Sequence, residues 1–374
     1  MKVKVWKVKV WFLIFGCWLL GVVQVAWASP PEVTAEAAAL MERQSGLFYY
    51  EKNATERRAP ASLTKVMTCI LALEMADPEE VVTVSRRAAA ISMGLVIDLR
   101  PGEQIKLREL IKAALIHSAN DATVAIAEAV AGDHDTFVRW MNAKALLLGL
   151  EDTHFVNTNG YSHPEHWSTA KDLARLTRYA LQNPTFASLV ATRQAVVRWE
   201  KPQRELPISN TNRLLHGGYP QVTGVKTGTT QAAGQCLIAS ARSGEQEFVA
   251  VVLKSKNRYR DAVALLSWGS KELKEVNLCD KGEYWTRLPV AEGRLGDVPL
   301  VAREGLSVLL PLGEPVEKQI CLTRALRAPV YPGSPLGEVI FLWRGQELGR
   351  VSLVAGKEVL ERPWWWRLLG KRFE

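Results

Sequence analysis

The sequence has few cysteines, and none is spaced as a metal site or a redox dithiol requires. The five are Cys17, Cys69, Cys236, Cys279 and Cys321. Because no C-x-x-C pattern occurs, neither a zinc site nor a thioredoxin-type dithiol is predicted. The histidines are scattered too, and His163 with His166 lies in a polar loop rather than on a helical zinc-binding face. No metal site is expected.

Acidic residues are absent from positions 1–28, where four lysines precede an apolar run over 10–23 and an Ala-Trp-Ala cleavage pattern at 26–28. These features predict a secretory signal peptide over 1–28, with an uncleaved anchoring helix as the alternative. In either case the rest of the protein lies outside the cytoplasm.

The remaining charge gives no indication of nucleic-acid binding. Removing the four N-terminal lysines lowers the formal charge from +8 to +4. This mild excess fits a membrane or cell-wall surface, or merely solvated side chains. The composition, 48% hydrophobic and 23% charged, is that of an ordinary globular protein, and 374 residues suggest two or three structural units at roughly 150 residues each.

Hydrophobic periodicity predicts a sheet with helices between its first and last strands. A hairpin is expected over 41–52, a buried helix over 62–76 and an amphipathic helix over 107–116. Further helices are expected after Asp121 and over 137–148. Because strand-like runs also occur after residue 222, the first and last segments of this region should pair in one sheet.

The C-terminal part has a different pattern. Strand-like runs occur at 222–230, 235–241 and 245–253, and a helix is expected over 261–274. Beyond residue 276, short apolar stretches separated by glycine and proline predict a small all-β domain.

Three short motifs occur in a fixed order, and the first is Ser62-x-x-Lys65. Ser62 begins the buried helix, where free backbone N–H groups and the helix dipole can stabilise an oxyanion. Lys65 lies on the same helical face, within reach of the Ser62 hydroxyl. Burial and the nearby cation Lys226 should lower the pKa of Lys65, so that its neutral amine can act as a base.

The second and third motifs are Ser118-x-Asn120 and Lys226-Thr227-Gly228. In the turn between two helices, the Ser118 hydroxyl can pass a proton to a leaving group and the Asn120 amide can hold a substrate peptide group. On the strand, Lys226 and Thr227 can bind a carboxylate, while Gly228 lets a substrate backbone approach. The N–H of Thr229 is a candidate second oxyanion donor.

Competing copies of two motifs occur at 168–171 (Ser-x-x-Lys) and 255–257 (Ser-x-Asn). The only Lys-Thr-Gly lies between them, so only the set at 62, 118 and 226 gives nucleophile, polar turn and cationic strand in sequence.

This set resembles the penicillin-recognising serine enzymes. From about residue 33 to the C-terminus the chain is similar to the D-alanyl-D-alanine carboxypeptidases, the low-molecular-weight penicillin-binding proteins. The likeness rests on Pro-Ala-Ser-Leu-Thr-Lys at 60–65, Ser-Ala-Asn-Asp-Ala at 118–122 and Gly-Val-Lys-Thr-Gly-Thr-Thr at 224–230. It departs at 94–99, where many relatives carry a more polar loop.

The resemblance implies an α/β fold of the α+β type: an antiparallel sheet flanked by helices, a helical subdomain, and a small C-terminal all-β domain. It implies that Ser62 attacks the penultimate D-Ala carbonyl of a peptidoglycan pentapeptide, with Lys65 as base and Ser118 as proton relay. Asn120 would contact substrate, and Lys226 with Thr227 would anchor its terminal carboxylate. No cofactor is required, and β-lactams would acylate Ser62.

Three other functions could use parts of this pattern. A β-lactamase of the commonest class needs a Glu-x-x-x-Asn loop before the Lys-Thr-Gly strand, and no suitable glutamate has asparagine four residues on. A DD-endopeptidase on cross-linked peptidoglycan uses the same nucleophile on a similar bond. A catalytically idle wall-binding scaffold has no physical need for a lysine buried beside a serine.

Four segments are therefore expected: a signal peptide (1–28), a catalytic domain (29–275), a β domain (276–356) and an amphipathic anchor (357–374). The last contains Trp364, Trp365, Leu368 and Phe373 beside Arg367, a composition typical of helices lying on membranes. Packing of this helix on its own domain is the alternative. The expected location is the outer face of the cytoplasmic membrane.

Overall fold

The computed structural model describes residues 29–217, 219–323 and 325–365. The predicted signal peptide and residues 366–374 of the predicted anchor lie outside this part of the chain.

The secondary structure alternates between strands and helices up to residue 272, and in the described residues beyond it only strands occur. In chain order the strands are β1 (Ala37–Glu42), β2 (Phe48–Lys52), β3 (Val81–Thr83), β4 (Gln104–Lys106), β5 (Gln194–Lys201), β6 (Glu205–Ser209), β7 (Val222–Thr230), β8 (Gly234–Ser243), β9 (Gln246–Ser255), β10 (Leu273–Cys279), β11 (Tyr284–Ala291), β12 (Asp297–Ala302), β13 (Leu306–Pro311), β14 (Glu317–Leu322), β15 (Leu326–Arg327), β16 (Pro335–Trp343) and β17 (Gln346–Ala355). The α-helices are α1 (Lys65–Met75), α2 (Arg86–Ala89), α3 (Leu107–Lys112), α4 (Asn120–Ala131), α5 (His134–Leu147), α6 (Ala170–Ala180), α7 (Pro184–Ala191) and α8 (Arg258–Glu272). Shorter helical turns occur at Ala61–Thr64 and Arg213–His216 (3-10) and at Ala113–His117 (π).

The central sheet is antiparallel, with the strand order β2-β1-β9-β8-β7. The first and last strands of the region thus form one sheet, as predicted. Every residue of β1 is buried. Ala37, Ala39 and Met41 join one hydrophobic core and Ala38 and Leu40 the other, because successive side chains point to opposite faces and both faces are covered.

Helices cover the two faces of this sheet unequally. Helix α8 packs on β8 and β9, while α6 packs on β1 and β9 from the other side and contacts α1. The sequence interpretation missed α6 and α7, although both carry start signals. The Thr169 side chain caps α6, and Asn183 caps α7 directly before Pro184.

The sequence predicted an amphipathic helix over 107–116. The helix is present, but it is not amphipathic. It is α3 followed by the π turn, and it is buried on nearly all sides because it lies between α4, β5 and β6. Glu109, buried within it, bonds to Lys112 and accepts the backbone N–H of Arg198. The small sheet β3-β4-β5-β6 was also missed, since its first two strands have three residues each, too few to give a period.

The chain beyond α8 forms the predicted β domain, with a six-stranded sheet (β14-β16-β17-β12-β11-β15) and a two-stranded one (β10-β13). The turn between β16 and β17 contacts the free edge of β2: the Gln346 amide bonds to the Phe48 backbone, and the Trp343 and Tyr49 rings lie 5.8 Å apart. The predicted α+β architecture is confirmed. Among the described helices, none combines the length and apolar character that a membrane span requires.

Candidate active site

Ser62 and Lys65 form the centre of the site. Ser62 lies in the 3-10 turn that leads into α1, and the Lys65 Nζ atom is 2.8 Å from its Oγ. Nζ also donates to Asn120 Oδ1 (2.7 Å) and to the Asn159 carbonyl (2.9 Å). Lys65 is fully buried. Burial, and next the positive charge of Lys226, hold the pKa of Lys65 well below the usual range for lysine.

The turn before Ser62 is tightly enclosed by backbone. Ala61 has a φ of +50°, an uncommon conformation for a residue with a side chain. Gly160 packs directly on it: a Cβ at Gly160 would lie 1.9 Å from the Ala61 carbonyl oxygen. Only glycine fits there, and Gly160 also has a φ of +89°.

His166, which the sequence interpretation assigned to a polar loop, is instead buried behind this turn. Its Nδ1 accepts the Val156 N–H (3.0 Å), so its Nε2 carries the proton and donates to Thr64 Oγ1 (2.9 Å). Thr64 in turn donates to the Ala61 carbonyl. Burial lowers the pKa of His166 to about 4. The neutral side chain of His166, through Thr64, thus stabilises the turn that carries Ser62.

Ser118 and Asn120 lie where the π turn ends and α4 begins. Ser118 adopts a left-handed conformation with a φ of +68°, which separates the two helices. Asn120 begins α4 and is buried. Its Oδ1 accepts from Lys65, and its Nδ2 donates to the Met93 carbonyl at 2.7 Å. The Asn120 amide therefore links the lysine to the loop around residue 93.

Strand β7 supplies the opposite wall. Lys226 is a residue of this strand and is buried, and burial lowers its pKa to about 7. Thr227 Oγ1 lies 2.6 Å from Thr211 Oγ1. Gly228 packs against the turn that carries Ser62, where a Cβ at Gly228 would come within 3.0 Å of the Ser62 nitrogen. Close packing against this turn, and not only access for substrate, therefore explains the glycine at position 228.

Arg258, the first residue of α8, is a functional candidate that sequence reasoning missed. Its guanidinium donates to the Gly228 carbonyl (2.9 Å) and to Thr229 Oγ1 (2.8 Å). The signal was present: Asn257 is a helix cap directly after β9, and a basic residue in the first turn that follows lies next to β7–β8. Arg258 adds a second cation to this wall of the site.

The predicted residues lie around one cleft of about 290 Å³. Its lining includes Ser62, Ser118, Asn120, Thr227, Gly228, Thr229 and Arg258. Lys65 and Lys226 lie just beneath its surface. The described part of the chain holds no group of three His, Cys, Asp or Glu side chains arranged to bind a metal ion.

The competing motifs lie elsewhere in the fold. The Ser168 hydroxyl bonds to Thr153, and Lys171 pairs with Glu51. Ser255 donates to Asp261. Cys69, seven residues after Ser62, is a fully buried core residue, and burial raises the pKa of its thiol to about 12.

Comparison with known families decides the relationship. The sequence model of the D-alanyl-D-alanine carboxypeptidase family matches residues 24–257, well over half of the chain. The chain belongs to this family. The model for the C-terminal domain of penicillin-binding protein 5 matches residues 274–361.

Individual relatives agree over nearly the whole length. The chain is 34% identical to the D-alanyl-D-alanine carboxypeptidase DacF of Bacillus subtilis, over 88% of this chain and 86% of the relative. Penicillin-binding protein 5 of Haemophilus influenzae has a similar structure, with a TM-score of 0.69 and 27% identity over 89% of this chain and 99% of that one. The predicted family, fold class and serine carboxypeptidase assignment are confirmed.

Proposed function

We propose that the enzyme removes the terminal D-Ala from peptidoglycan pentapeptide stems through an acyl-enzyme on Ser62, with Lys65 as the base. The observation that carries this proposal is the set of three contacts of Lys65. A neutral amine donates two hydrogen bonds, here to Asn120 Oδ1 and the Asn159 carbonyl, and keeps one lone pair. That lone pair is left for the Ser62 hydroxyl, 2.8 Å away.

The reaction then has two steps. Ser62 Oγ bonds to the penultimate D-Ala carbonyl carbon and its proton passes to Lys65, while the N–H groups of Ser62 and Thr229 stabilise the oxyanion. The C–N bond breaks as the leaving amine takes a proton through Ser118. Water then attacks the Ser62 ester, and the stem leaves as a free acid. A β-lactam acylates Ser62 by the same first step.

The terminal carboxylate lies on the cationic wall in this proposal. Lys226 and Arg258 supply the positive charge, and Thr227 supplies a hydroxyl 2.6 Å from that of Thr211. This arrangement favours a carboxypeptidase, because the substrate of a carboxypeptidase presents a free terminal carboxylate to this wall. An endopeptidase would need the cleft to accept a continuing chain there, and an idle scaffold would have no use for two buried lysines.

For the rest of the chain we propose a signal peptide (1–28), a catalytic domain (29–275), a β domain that begins at 276 and a C-terminal membrane anchor. Val359 is buried and pairs with Val330, and the family match reaches residue 361, which supports an end of the β domain at about 361 rather than at the predicted 356, with the anchor following it. The gap between the two family models, at 258–273, supports the central boundary. An enzyme acting on the cell wall must be exported. The tryptophans and basic residues of the C-terminal segment support attachment to the outer face of the cytoplasmic membrane.

The test uses residues 29–374 with a pentapeptide muropeptide and, separately, a cross-linked dimer. Release of D-Ala from the pentapeptide, lost in Ser62→Ala, supports the carboxypeptidase. Cleavage of the dimer without release of D-Ala would favour the endopeptidase, and no cleavage by the folded protein would favour the scaffold. Sedimentation with anionic vesicles, compared with a chain ending at residue 362, tests the anchor.

A further inference from the structure

Three buried threonines lie behind the Lys65 amine, and none of them has a role in the catalytic steps described above. Thr68 is on α1, Thr123 is on α4, and Thr158 is in the loop before Gly160. The side chains of all three are fully buried. Because a buried hydroxyl costs free energy unless it has a hydrogen-bond partner, the partners show which segments these threonines hold together.

The three hydroxyls form one connected set of hydrogen bonds, which we call the threonine network. The Thr68 hydroxyl donates to the Thr158 carbonyl at 2.8 Å, and the Thr158 hydroxyl donates to Thr123 Oγ1 at 3.1 Å. The Thr123 hydroxyl donates in turn to the Asn120 carbonyl at 2.7 Å. The network therefore connects α1, the loop at 157–160 and α4, which are distant in the sequence.

Each threonine lies close in sequence to one of the groups that meet at the Lys65 amine. The pairs are Lys65 and Thr68, Asn120 and Thr123, and Asn159 and Thr158. In the two helical pairs the members are three residues apart, so both lie on the same helix face. The network thus joins the three segments that supply the amine and its two acceptors.

The positions of the two acceptors decide where the lone pair of the Lys65 amine points. Because a neutral amine donates two hydrogen bonds, donation to Asn120 Oδ1 and to the Asn159 carbonyl leaves the lone pair for Ser62 Oγ. If either oxygen moved away, the amine could turn a hydrogen towards Ser62 and would no longer accept its proton. A displacement of about 1 Å can lower the rate of a catalysed step about a hundredfold.

The loop that carries Asn159 is held from two sides. On the side of the cleft, the Tyr161 N–H donates to Asn159 Oδ1, and the Tyr161 hydroxyl donates to the Met93 carbonyl. On the buried side, the loop is held by the hydrogen bonds of Thr158 to Thr123 and Thr68. The network therefore fixes the loop from the side on which the Lys65 amine lies buried.

We propose that the threonine network positions the Lys65 amine for the acylation of Ser62. Thr68, Thr123 and Thr158 are positioning residues, because they act through the two acceptor oxygens and do not touch the reacting atoms. This proposal rests on the proposed function, since it requires Lys65 to be the base. In that function the substrate carboxylate is bound by β7 and Arg258. Loss of the network should therefore slow the covalent step and leave binding unchanged.

The test separates these two quantities. Stopped-flow reaction with a penicillin gives the limiting acylation rate and the dissociation constant of the complex that precedes acylation. Thr158→Val removes the hydroxyl and keeps a side chain of similar shape. We expect its limiting rate to fall about tenfold to a hundredfold, with an unchanged dissociation constant. Thr158→Ser retains a hydroxyl and should recover most of the rate.

A second variant shows whether the hydroxyls act as a unit. Thr123→Val removes the acceptor of the Thr158 hydroxyl and the donor to the Asn120 carbonyl. It should also lower the limiting rate. The double variant Thr123→Val/Thr158→Val should be about as slow as Thr123→Val alone, because the second substitution removes a bond that is already lost.

Thr177→Val is the matched control. Thr177 is also fully buried, and its hydroxyl donates to the Leu173 carbonyl at 2.7 Å within α6. Its loss should lower the melting temperature as Thr158→Val does, while the limiting rate stays that of the unmodified enzyme. A rate that falls through general destabilisation would fall in both variants.

Each result supports or overturns the proposal. An unchanged limiting rate in folded Thr158→Val would overturn it, and Thr123→Val is judged by the same criterion if Thr158→Val does not fold. A fall of equal size in Thr177→Val, or no recovery in Thr158→Ser, would overturn it as well. Failure of the proposed function is distinguishable, because Lys65→Ala would then acylate as fast as the unmodified enzyme.

Discussion

The Lys65 amine lies 2.8 Å from the Ser62 hydroxyl oxygen, and its other two contacts are hydrogen-bond acceptors. A lysine buried among acceptors and beside a second buried lysine has no carboxylate partner within hydrogen-bond distance. Burial, and next the positive charge of Lys226, lower the pKa of Lys65 and so favour its neutral form. In the proposed mechanism, this pairing lets Lys65 take the proton of the Ser62 hydroxyl, the role that a histidine has in other serine enzymes.

The pH dependence of acylation follows from the two lysines. Lys65 must be neutral to accept the proton, so the rate of reaction with a penicillin should fall as the pH falls through its depressed pKa. Lys226 must be charged to bind the carboxylate, so KM should rise as the pH rises through its pKa of about 7. Stopped-flow acylation between pH 4 and 10 measures both limbs. A rate that increases on acidification would contradict Lys65 as the base.

Arg258 should act on the substrate carboxylate. Replacing it with glutamine removes a charge-assisted contact, so KM for a peptide ending in free D-Ala should rise about tenfold or more. A peptide with an amidated C-terminus lacks the charge and should lose much less. Steady-state kinetics on the two peptides give the comparison, and equal losses on both would show that Arg258 acts only on the structure of β7.

Gly160→Ala tests the close packing behind the nucleophile. The new Cβ would meet the Ala61 carbonyl at 1.9 Å, so the turn must shift, and acylation should fall about a hundredfold or more. Gly102→Ala is the matched control, because Gly102 also has a positive φ (+81°) but no atom within 4 Å of the added Cβ. Gly102→Ala should lower the free energy of unfolding by about 1 kcal/mol and retain the acylation rate of the unmodified enzyme. Equal rates in the two variants would refute the packing argument.

His166 should stabilise the fold in its neutral form. Its pKa is lowered to about 4 by burial and by the neighbouring His154 and His163, whereas the unfolded chain titrates near 6.5. Between these values the unfolded state binds more protons, so stability is fully present above pH 6.5 and is lost as the pH falls towards 4, by roughly 3 kcal/mol at most.

Thermal melts of two variants check this prediction. His166→Phe leaves the Val156 N–H and the Thr64 hydroxyl without their partner and should cost about 1–3 kcal/mol at neutral pH. It should also flatten the pH slope of stability below 6.5. His163→Phe changes an exposed histidine of the same loop whose charge contributes less to the pKa shift than burial does, so it should keep the stability at neutral pH and most of the pH slope. If the pH dependence of stability persists in His166→Phe, it arises from other titrating groups.

The sequence predicted those parts of the fold that repeat a pattern. The segments that form β7, β8, β9 and α1 are nine to eleven residues long and mostly buried, so these elements were identified with small errors at the ends. The strands β3 and β4 have three residues each, and no period can be read from so few. The prediction that residues 107–116 form an amphipathic helix was wrong, because the strands that cover the polar side of this helix are distant in the sequence.

The residues of the candidate site likewise fall into those that the sequence predicted and those that it missed. Ser62, Lys65, Ser118, Asn120 and Lys226 lie in short motifs whose spacing has a chemical reason, so the sequence could propose them. Arg258, Tyr161 and His166 act through contacts with residues 30 to 102 positions away. Apart from the helix cap Asn257 before Arg258, nothing local distinguishes them from surface residues. Such contacts appear only once the fold brings the segments together.

The most direct test of the central claim is to locate the covalent adduct. Residues 29–374 are treated with a penicillin and digested, and the modified peptide is sequenced by mass spectrometry, with Ser62→Ala and Ser118→Ala treated in parallel. We predict one adduct, on Ser62, that is absent from Ser62→Ala and forms more slowly in Ser118→Ala. An adduct on Ser118, or one that persists in Ser62→Ala, would contradict the assignment of Ser62 as the nucleophile.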